Sequence, residues 1–343
     1  MKTNSIKIVQ MIPLRRCGSH AIRLRLGFDP DFYSPYPLHM VDLKSLIPLY
    51  GDLTDDRNYF QMTVDLVGLQ SLSLVKWEGV AIDPIIFFDQ IKTKKRSFQV
   101  LSTEILIEAA RQRGKTLVMD KSLDNVHDWS KLIENYPEIL FLNVIRDPRA
   151  QVASMNNAII HEFDSLLNAK IWYEAVRACI ELIAAHPHKV LTVRYEDFVQ
   201  NQESVLQKIC RFLEIPFIKE MLDVKKSAEA QRISVQSNLW QFNHSAPILQ
   251  HIDKYKQTLT EAEIAIIENV CSPYMSQFGY ERSTSANLSI TEAELAEAKV
   301  KSQNARALAW SEMKIKKPQD YILRKRRADY IELCRRNLLA GLV

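Results

Sequence analysis

Apolar and polar positions follow two rhythms along this chain: short β-branched runs, and longer stretches with an apolar residue every three or four positions. Ile6–Ile12, Thr116–Met119, Ile139–Ile145 and Val190–Arg194 read as strands. The run from Ile139 is nearly all apolar, as a strand covered on both faces would be. Helical spacing marks Thr103–Arg113, Asp124–Tyr136, Pro148–Ile160 and Ser165–His186 between the strands. Phe198–Leu213 and Thr260–Met275 follow the last strand, and Thr260 with Glu263 has capping-box spacing. This alternation predicts an α/β fold, a central parallel sheet flanked by helices. Gly27–Arg96 departs from it, with the aromatic and proline-rich run FDPDFYSPYPLHM from Phe28 and helices at Asn58–Val75 and Pro84–Lys94. Beyond Glu281, Ser289–Lys299 and Tyr321–Leu339 read as helices, a helical C-terminal extension.

Two strand ends carry anion-binding chemistry. Arg146 ends the Ile139–Ile145 strand, Asp147 can cap the next helix, and Pro148 suits its first turn. Ser154 lies about two turns along that helix. An arginine at the corner and a hydroxyl on the helix can hold one phosphate between them. An ordinary strand–helix junction with a surface Arg–Asp pair would read the same way. After the first strand, a loop with Arg15, Arg16, Gly18 and Ser19 turns helical at Ala21 and Ile22. A glycine there lets backbone approach an anion, and the N–H groups of the helix start point at it. It is not a Walker A loop, because no Gly-Lys-Ser/Thr follows the strand. Gly114-Lys115-Thr116 precedes a strand instead, and reads as a helix end, a glycine cap and a strand start.

Four blocks in order resemble sulfotransferases that use 3′-phosphoadenosine 5′-phosphosulfate (PAPS). RRCGSH at Arg15–His20 resembles the 5′-phosphosulfate loop, with Cys17 and His20 where hydroxyl residues are usual. MDKSLDN at Met119–Asn125 resembles the Lys-Thr-Pro block of bacterial members. IRDPRAQVAS at Ile145–Ser154 resembles the 3′-phosphate site, and VRYEDF at Val193–Phe198 the strand end whose tyrosine touches adenine. The resemblance runs to FGYE at Phe278–Glu281. It implies a P-loop-like sulfotransferase domain over 1–282, with 27–115 an acceptor-side insertion and 283–343 the extension.

The same resemblance implies PAPS as donor, 3′-phosphoadenosine 5′-phosphate (PAP) as product, and no metal. It assigns the 5′ end to Arg15, Arg16 and the Cys17, Gly18, Ser19, His20 and Ala21 backbone. It assigns the 3′-phosphate to Arg146 and Ser154, adenine to Tyr195 and the bridging oxygen to Lys121. Two of these residues have plainer readings: Lys121 pairing with Asp120 or Asp124, and Tyr195 as a core residue. Arg232, near Ser234, stands in for a missing RKG motif. Leu123 occupies the place of the histidine base of the cytosolic branch. His39 falls where carbohydrate and tyrosine sulfotransferases carry a glutamate base, and is the first choice for that role. His20 comes second, and His127 and Asp42 third.

Composition limits the remaining choices. A length of 343 residues, 47% hydrophobic and 25% charged, is that of an ordinary globular protein with one large α/β domain plus additions. A net charge of +4 does not call for nucleic acid. Five scattered cysteines without a CxxC pair favour free thiols in a reducing compartment. No signal peptide or membrane-length apolar run is visible, so a cytoplasmic enzyme without membrane insertion is expected. The Arg324–Arg327 run (RKRR) reads as a solvated helix face, and the extension around it as a lid, a packing element or a homodimer contact. The expected partner is a small organic acceptor with a hydroxyl or amine, such as a natural-product intermediate; sulfation of a carbohydrate or glycolipid is the alternative. Readings of another class are a nucleotide kinase or NTPase with a degenerate phosphate loop, and a non-catalytic nucleotide-binding module.

Overall fold

Five strands, β1 (Lys7–Ile12), β2 (Phe32–Tyr33), β3 (Leu117–Asp120), β4 (Leu140–Ile145) and β5 (Val190–Arg194), form one parallel sheet in the order β2-β3-β1-β4-β5. This computed structural model describes residues 6–235, 237, 245, 249 and 252–341. In chain order the helices are α1 (Ser19–Leu26), α2 (Asp56–Ser71), α3 (Pro84–Ile91), α4 (Phe98–Gln112), α5 (Trp129–Asn135), α6 (Pro148–Met155) and α7 (Ser165–Ala185). There follow α8 (Tyr195–Gln200), α9 (Gln202–Leu213), α10 (Ala228–Ser234), α11 (Tyr255–Thr258), α12 (Glu261–Met275), α13 (Glu292–Lys316) and α14 (Pro318–Leu339). Helices flank the sheet and continue into a helical C-terminal region, the α/β class expected from the alternation. Among the described residues, no helix is long and apolar enough to cross a membrane.

The chain divides into two compact units, Met1–Ile12 with Gly27–Phe141 and Ile322–Val343, and Pro13–Leu26 with Leu142–Tyr321. In the first unit β1 pairs with β3 from Lys7↔Leu117 to Gln10↔Asp120. Gln10 is polar yet buried, and its amide is satisfied by the carbonyls of Met11 (2.9 Å) and Ser122 (3.0 Å) and by Asn125 (3.1 Å). The aromatics of the Gly27–Arg96 stretch mostly build a core: Tyr50, Tyr59, Trp77 and Phe87 are buried in one cluster with Cys334 of α14. Tyr330, also on α14, donates to the Asp65 carbonyl of α2 (3.3 Å). From Ile322 onward α14 therefore belongs to the body of this unit.

The RKRR run is not a uniformly solvated face. Arg324 and Arg327 are only 8% and 9% exposed, while Lys325 and Arg326 face solvent. A charge run marks no side of a helix, and one turn separates the two buried arginines.

Several boundaries differ from the periodicity, and four of the differences have a local reason. Asp124–Tyr136 is a 3₁₀ turn (Leu123–Asp128) and then α5, because Asn125 spends its amide on Gln10 and Asp120 instead of lying on a helix surface. Phe198–Leu213 is two helices, broken at Asn201, whose side chain caps α9 through Ser204 N. The helix from Pro148 stops at Met155, and Asn156 then bonds Ser165 (2.7 Å) and Asn168 (2.8 Å). Helix α13 reaches Lys316 although its apolar stripe fades; it is rich in Ala, Glu and Lys, so propensity sustains it. The two-residue β2 was not legible, being set by the Asp29 carboxylate accepting from Asp31 and Phe32. Gly114, at φ 65°, ends α4 with Lys115 N–H on the Ala110 carbonyl, the cap expected for the GKT tripeptide.

The capping box at α12 is complete: Thr260 Oγ1 accepts from Glu263 N (3.2 Å), and Glu263 accepts from Thr260 N (2.9 Å). Burial acts to raise the Glu263 carboxyl, but hydrogen bonds from Thr260 and Ser165 outweigh it and lower its pKa. Thr260→Ala should lower stability by about 1 kcal/mol, read as a lower urea midpoint at unchanged m value, while Thr260→Ser should stay within about 0.5 kcal/mol of the parent.

Candidate active site

The second unit gathers most of the anion-binding candidates at one corner. After β1 the loop from Pro13 turns at Arg16 (φ 72°) and Gly18 (φ 88°) before α1 begins at Ser19. Arg16 is a non-glycine residue in the left-handed region, a strain of roughly 1–3 kcal/mol that surrounding contacts must hold. Some of those contacts come from Gln151 on α6, whose amide donates to the carbonyls of Arg15 (2.8 Å) and Leu14 (3.3 Å). The Gly18 carbonyl accepts from Ala21 N (3.0 Å), which starts the helix. A Cβ on Gly18 would lie 2.3 Å from Cδ2 of Tyr195, so the tyrosine ring rests directly on the glycine.

Arg146 joins this corner from the end of β4. It donates to the Arg16 carbonyl (2.9 Å), and its guanidinium lies 4.6 Å from the centroid of the Tyr195 ring. Arg16 Nε donates to Ser154 Oγ on α6 (3.0 Å). Arg16, Gly18, Arg146, Ser154 and Tyr195, taken from three separate sequence blocks, are thus one contiguous group. Burial, and then the neighbouring Arg146 charge, hold the Arg16 guanidinium down to about 10. Two cations in mutual repulsion gain most from an anion placed between them.

The nearby carboxylates do other work. Asp147 caps α6 through Arg149 N (2.9 Å) and accepts from the Arg149 guanidinium (3.0 and 2.7 Å), so the Arg–Asp pair at this junction is made by Arg149 and is buried, not a surface pair. Arg149 also donates to buried Glu268 (2.7 Å). Burial would raise the Glu268 carboxyl, but hydrogen bonds from Thr284 and Ser283 override it and hold it at about 2. Glu196 accepts from Asp147 N (3.0 Å) and Tyr280 OH (2.7 Å), tying three of the recognised blocks into one frame.

The remaining candidates are distributed as follows. Cys17 and Ser19 are buried; Arg15, His20 and Ala21 are half-buried. Arg232 lies in the last turn of α10, which the Arg23–Glu229 ion pair (2.6 Å) ties to α1. In the first unit Lys121 follows β3 and is 3% exposed. The adjacent Asp120 carboxyl is raised by burial and accepts from Ser122 N (2.7 Å) and Asn125 (2.9 Å). Leu123 is fully buried, and His127 faces solvent. His39 is half-buried in the left-handed region (φ 48°, ψ 51°), with its ring 6.2 Å from that of Tyr36 in an edge arrangement. Asp42 pairs with Arg327 (3.0 Å).

Sequence reading missed His161. It lies in the second unit beyond α6, is 7% exposed, and its Nε2 is buried without a hydrogen-bond partner. Burial first, then the charges of Arg15, Arg16 and Arg306, keep its imidazole neutral. Arg306 on α13 fixes it by donating to its carbonyl (3.1 Å). A lone histidine after a helix carries no sequence signal for such a place.

A sulfotransferase-family profile matches residues 12–219, more than half of the chain. The chain belongs to the sulfotransferase family. No curated protein matches it significantly. Among solved structures it is similar to the sulfotransferase domain of the Synechococcus PCC 7002 olefin synthase, at 21% identity and TM-score 0.53, over 81% of this chain and 95% of that one. It is also similar to the sulfotransferase domain from the curacin biosynthetic pathway, at 17% identity and TM-score 0.52, over 81% and 98%. Both likenesses concern the fold. In a sulfotransferase, an arginine-lined corner at strand ends suits a sulfuryl donor that carries its own negative charges.

His161 gives a pH test. Its folded pKa lies below the usual value, so the unfolded chain binds the extra proton, and the stability it contributes above about pH 6.5 is lost as pH falls. The urea midpoint of the parent should drop more steeply between pH 7.5 and 5.5 than that of His161→Gln, with the difference growing by up to about 1.4 kcal/mol per pH unit. Parallel profiles would contradict the assignment.

Proposed function

We propose that this sulfotransferase moves the sulfuryl group of PAPS onto a hydroxyl or amine of a small organic acceptor. The observation that carries the reading is the joined group of Arg16, Arg146, Ser154 and Tyr195. A doubly phosphorylated adenosine presents the anions and the aromatic face that two guanidiniums, a hydroxyl and a tyrosine ring can take. Arg146 and Ser154 serve the 3′-phosphate, Tyr195 the adenine, and the Cys17–Ala21 backbone with Arg16 the 5′ end. Gly18 supports the last role, since its carbonyl starts α1 and its missing side chain admits the ring.

Sulfuryl transfer resembles phosphoryl transfer, with donor and acceptor oxygens in line and charge spread over the moving group. Positioning and a fixed positive field then supply most of the rate. Lys121 is assigned to the bridging oxygen, where leaving-group charge develops, and His39 to the acceptor proton; His20 is the second choice for that step, and His127 and Asp42 the third. Cationic side chains provide the field, so turnover should persist in EDTA.

An acceptor of natural-product type is supported by the two similar domains, which come from an olefin synthase and from the curacin biosynthetic pathway. The aromatic stretch adds little to that support, because Tyr50, Tyr59, Trp77 and Phe87 are core. The cytoplasmic location belongs to this reading and rests on five free, buried cysteines.

Two variants test the site. Arg146→Ala should weaken PAP binding in calorimetry by about 2–3 kcal/mol, roughly a hundredfold, the worth of a lost charge-assisted phosphate contact. Equal affinity for PAP and ATP, or no change in Arg146→Ala, would refute the donor assignment. His39→Ala should lower kcat about 10²-fold with PAP affinity intact, measured with a non-ionised alcohol acceptor.

A further inference from the structure

The buried arginine of the C-terminal helix reaches the backbone of the residue assigned as base. Within the first unit, Arg327 Nη2 donates to the carbonyls of Leu38 and His39, the latter at 3.0 Å, and to the Asp42 carboxylate at 3.0 Å. Nε also faces Asp42 (3.3 Å). The His39 carbonyl additionally accepts from Asp42 N (3.0 Å), so His39 and Asp42 close one turn with the guanidinium sealing it. His39 occupies the left-handed region, where a residue with a Cβ stays only if its surroundings hold it. The 3₁₀ stretch Met40–Tyr50 begins immediately after it, and His39 makes no side-chain cap there. Arg327 is therefore a strong external constraint on this conformation, and it is itself 9% exposed on a helix anchored by Tyr330 and Cys334.

We propose that Arg327 is a positioning residue that fixes the His39 turn, so that α14 sets the direction of the proposed catalytic imidazole from nearly three hundred residues away in sequence. The inference deepens the reading of His39 as proton acceptor and rests on it for its kinetic consequence. Its structural content is independent: without the guanidinium, two carbonyls and a carboxylate lose their common donor, and the turn relaxes. A planar fork can reach several oxygens at once, whereas an ammonium is a single point of charge, so lysine should be an incomplete replacement.

The test uses the full chain with labelled histidine. The His39 imidazole resonance is assigned by its loss in His39→Ala and then followed in Arg327→Ala and Arg327→Lys, with cooperative urea unfolding as the check on folding. The expected result is a shifted or broadened His39 signal in Arg327→Ala, a kcat lower by about 10- to 100-fold, and PAP affinity within about twofold of the parent. Arg327→Lys should be intermediate in both signal and kcat, and should unfold cooperatively even if the alanine variant does not. The double variant His39→Ala/Arg327→Ala should be no slower than His39→Ala alone. An unmoved His39 resonance in the lysine and alanine variants, or additive losses in the double variant, would overturn the positioning role. If His39→Ala turned over normally while the His39 resonance still shifted in the Arg327 single variants, the base assignment would fall and the positioning role would stand.

Discussion

Two neighbouring arginines, Arg16 and Arg146, whose charges act on one another, are the constraint on which this site depends. Arg146 bonds the Arg16 carbonyl, Arg16 bonds Ser154, and the Tyr195 ring lies between Arg146 and Gly18. Like charges at such a corner are unfavourable in an isolated protein, and burial sharpens the repulsion. The surrounding frame tolerates it because it is stiff. Arg149 with Asp147 and Glu268, and Glu196 with Asp147 and Tyr280, form a hydrogen-bonded lattice beneath the corner. In that lattice Arg149 is neutralised by Asp147 and Glu268, and Glu196 is held by the Asp147 N–H and the Tyr280 hydroxyl.

The division of labour between Arg146 and Arg149 follows. Both belong to the same IRDPR block, and a sequence alone gives them equal standing. Helical geometry sends Arg149, in the first turn of α6, back onto the capping Asp147 and down to Glu268. Arg146 precedes the cap and is left to the loop and to Tyr195. Arg149 is thereby committed to the frame, whereas the contacts of Arg146 described above join it to the loop and to the Tyr195 ring.

Much of this was legible from residues, for identifiable reasons. The strands β1, β3, β4 and β5 are short apolar runs that no other element could use, and each lies within about a residue of its expected span. Arg146, Ser154 and Gly18 announced themselves through the chemistry a strand-to-helix corner favours. Tyr195 is assigned to adenine only through the resemblance, and its seat on Gly18 is a tertiary contact that leaves no sequence pattern. The other partnerships were hidden because they join distant sequence. Gln151 on the Arg15 carbonyl, His161 near Arg15 and Arg16, and Arg327 on His39 leave no periodic trace. Arg327 is the sharpest instance, since a cluster of four basic residues normally signals solvent.

The hydrogen bond from Arg16 to Ser154 has a consequence for how an anion would enter. The serine hydroxyl and the loop arginine already satisfy one another, so an arriving phosphate does not simply add contacts; it trades places within an existing bond. Such an exchange lowers the net gain from binding, because part of the new attraction replaces an old one. It also gives the loop a partner to return to on departure, so release need not leave the half-buried Ser154 hydroxyl stranded. Under the proposed reading, in which a highly charged nucleotide leaves after every cycle, that reversibility would serve turnover.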